Sequence, residues 1–249
     1  MRCALLINNP SNPCGSVYSR AHVTALLALA ERYHTPVISD EIYAHVIFSG
    51  VTFTSAPAAS PRVPVLVIGG IAKEFMVPGY RVGWVALFDE SISNHLGGGE
   101  REGALWSVRK GLIALSQLTL GANALILSAL PALLTPLPGA PADGLRAWRE
   151  TTLTQLEGNA RYAVQALEKL PGITVIRPSG AMYLMFSVPH GDDDVSFAKS
   201  LLDEEAVFIL PGTAFGAPGY CRIVLTPPID RLREAFERMA QFCARRKMS

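Results

Sequence analysis

The sequence predicts an α/β protein: a mostly parallel sheet with crossover helices, followed by a smaller C-terminal α+β domain. Three observations carry this expectation. Short β-branched runs alternate with amphipathic or loop segments through the first 90 residues, a Pro- and Gly-rich segment occupies 131–144, and a long helical pattern opens the remainder. At 249 residues, 49 % hydrophobic and 17 % charged, the chain has material for a large core, which excludes a disordered chain and a small disulfide scaffold. The expected domains are 1–139 and 140–249.

The first strand is expected at 4–7. Ser19 has the chemistry of an N-cap for a helix running to about His34, with Val23, Leu26, Leu27 and Ala30 on one face. Strands follow at 36–39, 63–68 and 82–88, all apolar enough to be buried on both faces. From 90 to 134 the pattern turns helical, broken by Gly97, Gly98, Gly99 and Gly121. No charged residue lies between 111 and 142, yet Ser116, Gln117, Thr119, Asn123, Ser128 and Pro131 interrupt that stretch, so two buried or interface helices are expected rather than a membrane span. A helix over about 145–170 then repeats Leu153, Leu156, Ala160, Ala163, Val164 and Leu167 at helical spacing. Strands at 173–176, 182–188, 207–210 and 221–225, with helices around 195–204 and 229–245, complete the second domain.

Composition narrows the function classes. With 22 Lys+Arg against 21 Asp+Glu there is no basic field for a phosphate backbone, and the only basic run is Arg245-Arg246-Lys247, so no nucleic-acid partner is expected. Cys3, Cys14, Cys221 and Cys243 lack C-x-x-C spacing and read as reduced thiols of a cytoplasmic protein. His22, His34, His45, His95 and His190 show no ligand spacing, so no metal is assigned. The run Gly97-Gly98-Gly99 follows no strand and has no G-x-G-x-x-G spacing, which argues against a dinucleotide site. The N-terminal apolar run is too short for a secretory leader.

Open α/β sheets bind ligands beyond the carboxyl ends of their strands. The expected strand ends here carry Asn8, Asn9 and Asn12; then Asp40, Glu41 and Tyr43; then Gly69, Gly70 and Lys73, with Arg81 eight residues on. An amide, a carboxylate with a phenol, and an amine with a guanidinium suit an aldehyde cofactor held as a Schiff base. Lys73 stands among Ile71, Ala72, Phe75, Met76 and Val77, a setting that favours the neutral, nucleophilic form of an amine. A solvated lysine at a strand end has the same local pattern, so spacing alone leaves both readings open.

The runs NNPSNPCGSVY at 8–18, DEIY at 40–43, GGIAKEFMVPGYRVGW at 69–84 and RPSGAMYL at 177–184 resemble, in order, the class I/II pyridoxal-phosphate aminotransferases of fold type I. Within that family they are most similar to members acting on tyrosine and other aromatic amino acids. The resemblance implies pyridoxal 5'-phosphate as cofactor, an L-amino acid and a 2-oxo acid such as 2-oxoglutarate as substrates, and a homodimer. It implies that Lys73 binds the cofactor and shuttles the substrate proton, that Asp40 pairs with the ring nitrogen, that Tyr43 and Asn12 bond the phenolic oxygen, and that Arg81 holds the phosphate. Arg222, in YCRI at 220–223, matches the arginine for the substrate α-carboxylate, where Asn12 also contributes. Tyr183 lies in a well-matched motif but also reads as a core aromatic, so it is left out of the site, and Cys14 reads as a subfamily marker.

Two departures accompany the resemblance. Gly70 stands where many relatives carry a phosphate-binding hydroxyl, and Glu74 adds a negative charge directly after Lys73. The chain also opens at the strand leading into the asparagine motif. It is therefore expected to be the C-terminal part of an aminotransferase, with an incomplete large domain and an unpaired sheet edge. Its compartment is expected to be the cytoplasm, or the mitochondrion if a transit peptide precedes the chain. Two other readings share these motifs: a carbon–sulfur lyase on the same fold, and a catalytically silent aminotransferase fragment.

Overall fold

A computed structural model of the chain describes residues 4–59, 62–89, 105–118, 120–134, 142–189 and 193–246. Contacts divide it into two units. The first comprises Met1–Pro10, Tyr18–Val46 and Thr52–Arg149, and the second comprises Ser11–Val17, Ile47–Val51 and Glu150–Ser249.

In the first unit β1 (Leu5–Asn8), β2 (Val37–Asp40), β3 (Val65–Gly70) and β4 (Gly83–Phe88) form one sheet in the order β1-β2-β3-β4. The first three are parallel and in step, Leu5 opposite Val37 and Val37 opposite Val65, so that Asn8, Asp40 and Ile68 lie level, with β3 running two residues further to Gly70. Helix α1 (Arg20–Arg32) makes the crossover from β1 to β2. Ser19 caps it as expected, its hydroxyl accepting from His22 N–H at 3.2 Å, and Val23, Leu27 and Ala30 are buried against Ile7, Val37 and Val65. His34, with φ +49°, turns the chain out of the helix.

Strand β4 is antiparallel to β3, because the one-turn helix α2 (Ile71–Glu74) and the turn at Pro78–Tyr80 form too short a link for a crossover. The expectation that every strand is buried on both faces fails at the sheet edges: Leu6 on β1 is 65 % exposed, and Trp84, Val85 and Phe88 on β4 are exposed as well. An edge strand has a sheet neighbour on one side only, and its apolar residues report that position.

Helix α3 (Trp106–Leu118) leads into the charge-free stretch and α4 (Ala124–Leu134) lies within it, with Leu120 and Gly121 between them at φ +55° and +80°. Asn123 caps α4 through Oδ1, which accepts from Leu125 N–H at 3.0 Å. Ile126, Leu130 and Leu133 pack, partly buried, on Ile71, Phe75 and Val82, while Leu125 and Leu127 are exposed, so α4 packs by one side rather than both. No helix among the described residues is long and apolar enough to cross a membrane. Pro131 lies inside α4, so the helix runs past the start of the expected Pro/Gly linker; the Gly97–99 break lies outside the described residues.

Helix α5 (Ala142–Leu167) begins three residues earlier than expected, its part from Glu150 onward belonging to the second unit. There β5 (Val175–Ile176), β6 (Tyr183–Ser187), β7 (Leu210–Pro211) and β8 (Tyr220–Val224) form an antiparallel sheet ordered β5-β6-β8-β7. Strand β7 is shorter than the expected 207–210, because only Leu210 and Pro211 find partners, in Arg222 and Cys221. Helices α6 (Asp194–Glu205) and α7 (Ile229–Arg246) bury Leu201, Met239 and an aromatic file. In that file Phe197 meets Phe186 and Phe242 edge to face, with ring centroids 6.4 and 5.4 Å apart. Asn159 on α5 donates both amide hydrogens, to Leu225 O at 2.8 Å and Pro227 O at 2.9 Å.

Phe197 is central to this core, so Phe197→Ala is expected to lower stability by about 3–5 kcal/mol, read from the shift in chemical-denaturation midpoint.

Candidate active site

Level strand ends place the first group of residues. Asp40 closes β2, and its Oδ1 accepts from Ile42 N–H at 3.2 Å, a local bond that aims the carboxylate along the turn leaving the strand. The neighbouring Glu41 is differently employed. It is buried, and its Oε1 accepts from the Ser39 hydroxyl and from Ala56 N–H, both at 2.9 Å. Of the adjacent carboxylates the second thus ties the sheet to a loop, and the first stands at the strand end. Asn9 is likewise committed, its Oδ1 accepting from Tyr18 N–H at 2.8 Å.

Lys73 lies on α2, immediately past the end of β3, and its Nζ is 5.8 Å from the centre of the buried Tyr43 ring. Glu74 turns the other way. Its carboxylate is buried and paired with Arg149, whose guanidinium also lies 4.9 Å from the Phe75 ring centre. The charge flagged as a departure is therefore matched by a cation instead of facing the lysine unopposed. The other departure has a steric cause: a Cβ on Gly70 would stand 2.9 Å from Val82 O and 3.1 Å from Gly83 Cα, so a side chain there forces β4 away. Arg81 is exposed at φ +56° and donates to Pro78 O at 3.0 Å.

A second cluster lies within the second unit. The Arg222 guanidinium on β8 donates to Asn12 Oδ1 at 2.8 Å across 210 positions of sequence. Its two flanks are aromatic: the ring centres of Tyr183 and Phe215 lie 4.4 and 4.5 Å from its central carbon. Asn12 is delivered by a tightly folded loop. Gly15 (φ +70°) accepts at its carbonyl from Ser179 N–H and Gly180 N–H, and the Ser179 hydroxyl accepts from Val17 N–H at 3.0 Å. A side chain at Gly15 would meet Tyr183 O at 2.6 Å, so the turn requires glycine both for its dihedral and for its fit.

Of the six residues expected at the site, the structure groups Lys73 with Tyr43, and Asn12 with Arg222. Asp40, Tyr43, Lys73 and Arg81 belong to the first unit, and Asn12 and Arg222 to the second. Tyr183, left out of the expected site because it could be core, is indeed buried and is also one wall of the arginine, and Phe215, which the sequence did not single out, is the other. The RPSGAMYL match carried a signal for Tyr183; nothing in GTAFG marks Phe215. Among the described residues no cluster of His, Cys, Asp or Glu is arranged to hold a metal.

The two thiols near this cluster differ in character. Burial pushes Cys221 up to about 12, with Asp194 and Asp193 adding to the effect. Burial also raises Cys14, but bonds from the Ser16 and Ser11 side chains outweigh it and leave the thiol below its ordinary value.

Comparison with known proteins places these geometries. A family model described as "Aminotransferase class I and II" matches residues 1–239. A tyrosine aminotransferase of Dictyostelium discoideum is 41 % identical over 98 % of this chain, which covers 57 % of that protein. The solved tyrosine aminotransferase of Leishmania infantum superposes with a TM-score of 0.83 at 35 % identity, over 98 % of this chain and 56 % of that one. An alanine aminotransferase from Pyrococcus furiosus gives a TM-score of 0.84 at 29 % identity, over 97 % and 57 %. The chain spans about half the length of the curated relatives it matches.

Two outcomes are expected. At pH 8 iodoacetamide should modify Cys14 well ahead of Cys221, because the lowered thiol is partly ionised there and the raised one is not; peptide mass mapping over time reads the order. Gly70→Ser, which installs the hydroxyl that the family resemblance leads one to expect there, should destabilise the first unit by about 1–3 kcal/mol through overpacking against β4, measured by thermal denaturation.

Proposed function

The chain belongs to the class I and II aminotransferases, and from that membership we propose that it carries the lysine, carboxylate and arginines of a pyridoxal 5'-phosphate-dependent transaminase moving an amino group from an L-amino acid to a 2-oxo acid. The observation that carries the proposal is Lys73, one turn beyond β3 and beside Tyr43, with Asp40 at the end of the adjoining strand. An amine, a carboxylate, a phenol and a guanidinium are the donor types that an aldehyde, a protonated ring nitrogen, a phenolate oxygen and a phosphate require. The residues present therefore fit the cofactor.

In this reading Lys73 would hold the cofactor through its aldehyde and, once released, move a proton at the substrate Cα. Asp40 would keep the ring nitrogen protonated, since a carboxylate beside it favours the cationic form. Tyr43 and Asn12 would donate to the phenolic oxygen, and Arg81 would turn from Pro78 O to the phosphate. Bound pyridoxal phosphate supplies an electron sink for the charge that develops at Cα. Arg222 would take the substrate α-carboxylate, its planar fork fixing the orientation of the Cα bonds.

The likeness to an alanine aminotransferase means that the fold alone does not choose the amino-acid side chain. An aromatic donor such as tyrosine is favoured by the tyrosine aminotransferases among the relatives, and a 2-oxo acid such as 2-oxoglutarate is proposed as acceptor. The proposal extends to a homodimer, to the cytoplasm as compartment, and to a division in which 1–139 carries the cofactor and 140–249 the carboxylate-binding arginine.

Titration of the purified chain with pyridoxal phosphate should give a saturable visible band, and borohydride reduction should leave the pyridoxyl mass on Lys73 alone. Lys73→Ala should abolish the band. A band that fails to saturate, or adducts spread over surface lysines, would overturn the cofactor reading for this chain. With the site formed, tyrosine plus 2-oxoglutarate should yield glutamate; pyruvate released from a thiol amino acid without any acceptor would identify lyase chemistry instead.

A further inference from the structure

One wall of Arg222, Phe215, sits in a loop bonded to a carboxylate that the proposed chemistry does not use. Asp194, the first residue of α6, is 2 % exposed. Its Oδ2 accepts from Thr213 N–H at 2.8 Å, and its Oδ1 accepts from the Thr213 hydroxyl at 3.0 Å and from Gly219 N–H at 3.1 Å. Thr213 and Gly219 are the two ends of one loop, and Phe215 sits inside it. The loop is closed upon itself: Ala217 N–H donates to Gly212 O at 2.9 Å, and a Cβ on Gly212 would stand 2.1 Å from Ala217 O. Three residues beyond Gly219, β8 presents Arg222, with the Phe215 ring centre 4.5 Å from its guanidinium carbon.

We infer that Asp194 is a positioning residue for carboxylate recognition, its side chain clasping both ends of the 213–219 loop so that Phe215 is held against the Arg222 guanidinium. The inference rests on the reading of Arg222 as the carboxylate-binding arginine. Three hydrogen bonds to one buried carboxylate leave the loop a single register, and the ring it carries limits how the guanidinium can swing. An arginine held in one orientation loses less freedom when it takes a carboxylate, so the clasp contributes to affinity without touching the ligand. Desolvation alone would raise the Asp194 carboxyl, but the bonds from Thr213 and Gly219 prevail and hold it below the usual carboxylate value, consistent with an ionised clasp.

The test uses 3-phenylpropionate, an aromatic carboxylate with no amino group, titrated calorimetrically into the pyridoxal-phosphate-treated chain. The original chain should bind it and Arg222→Leu should not; absence of binding to the original chain would overturn the reading of Arg222 and this inference together. Asp194→Asn offers one acceptor oxygen in place of two and should weaken binding roughly tenfold. Thr213→Val, which removes a single bond and keeps the fold, should weaken it by about a third to a half of that effect on a logarithmic scale. The same substitutions in a Phe215→Leu background should add little, because the ring they position is gone. Binding that is unchanged in both Asp194→Asn and Thr213→Val, or equally weakened with and without Phe215, would overturn the inference while leaving Arg222 in its role.

Discussion

Parallel pairing without stagger is the constraint on which the rest of the first unit depends. Asn8, Asp40 and Ile68 lie in one row, so the segments leaving β1, β2 and β3 depart from the same edge of the sheet. Each departing segment carries polar chemistry that the strands could not hold, since their side chains are committed to packing. A slip of one position in β2 would exchange the faces of Ile38 and Ser39 and rotate Asp40 to the opposite side of the sheet. The apolar core of Val37, Val65 and Ile7 opposes that slip, and so the position of a carboxylate at the strand end is enforced by the burial of aliphatic side chains several residues away.

The acidic residues near the strand ends and in the second unit sort by what they bond. Glu41 accepts from Ser39 and Ala56, Glu74 pairs with Arg149, and Asp194 accepts from Thr213 and Gly219. Each of these three buried carboxylates has a hydrogen-bond or ion-pair partner within the protein, which offsets its desolvation. Asp40 differs in being half-buried and engaged by one backbone N–H of its own turn, which leaves a carboxylate oxygen for something beyond the strand. The adjacent carboxylates Asp40 and Glu41 thereby acquire unlike duties from their environments.

Much of this was legible in the amino-acid order. Strands β1 and β2 are aliphatic runs ended by polar residues and β3 one ended by glycines, α5 repeats its apolar positions at helical spacing, and Ser19 announces α1; these are local signals, and they hold. What escaped depends on contacts between distant segments. The partner of Glu74 is Arg149, far along the chain on another helix, and no pattern of spacing connects them. Phe215 reaches Arg222 through a loop whose shape is set by Asp194, and Tyr183 looks like any strand aromatic until its neighbour across the sheet is known. The exposure of β4 was hidden for a related reason: burial is a property of what lies beside a strand, and its own residues do not record whether it stands at an edge.

The second unit is assembled from three stretches of chain, two of them short loops drawn from the first fifth of the sequence. Ser179 and Gly180 meet Gly15 through backbone hydrogen bonds, and Phe48 N–H donates to Ser179 O at 3.1 Å. An expression plan that cuts the gene at the 149/150 boundary would discard both loops, leaving the Ser179 backbone without its partners and Arg222 without Asn12. This unit cannot be excised at one junction. Any attempt to shuffle it onto a different cofactor-binding half must transplant residues 11–17 and 47–51 along with it.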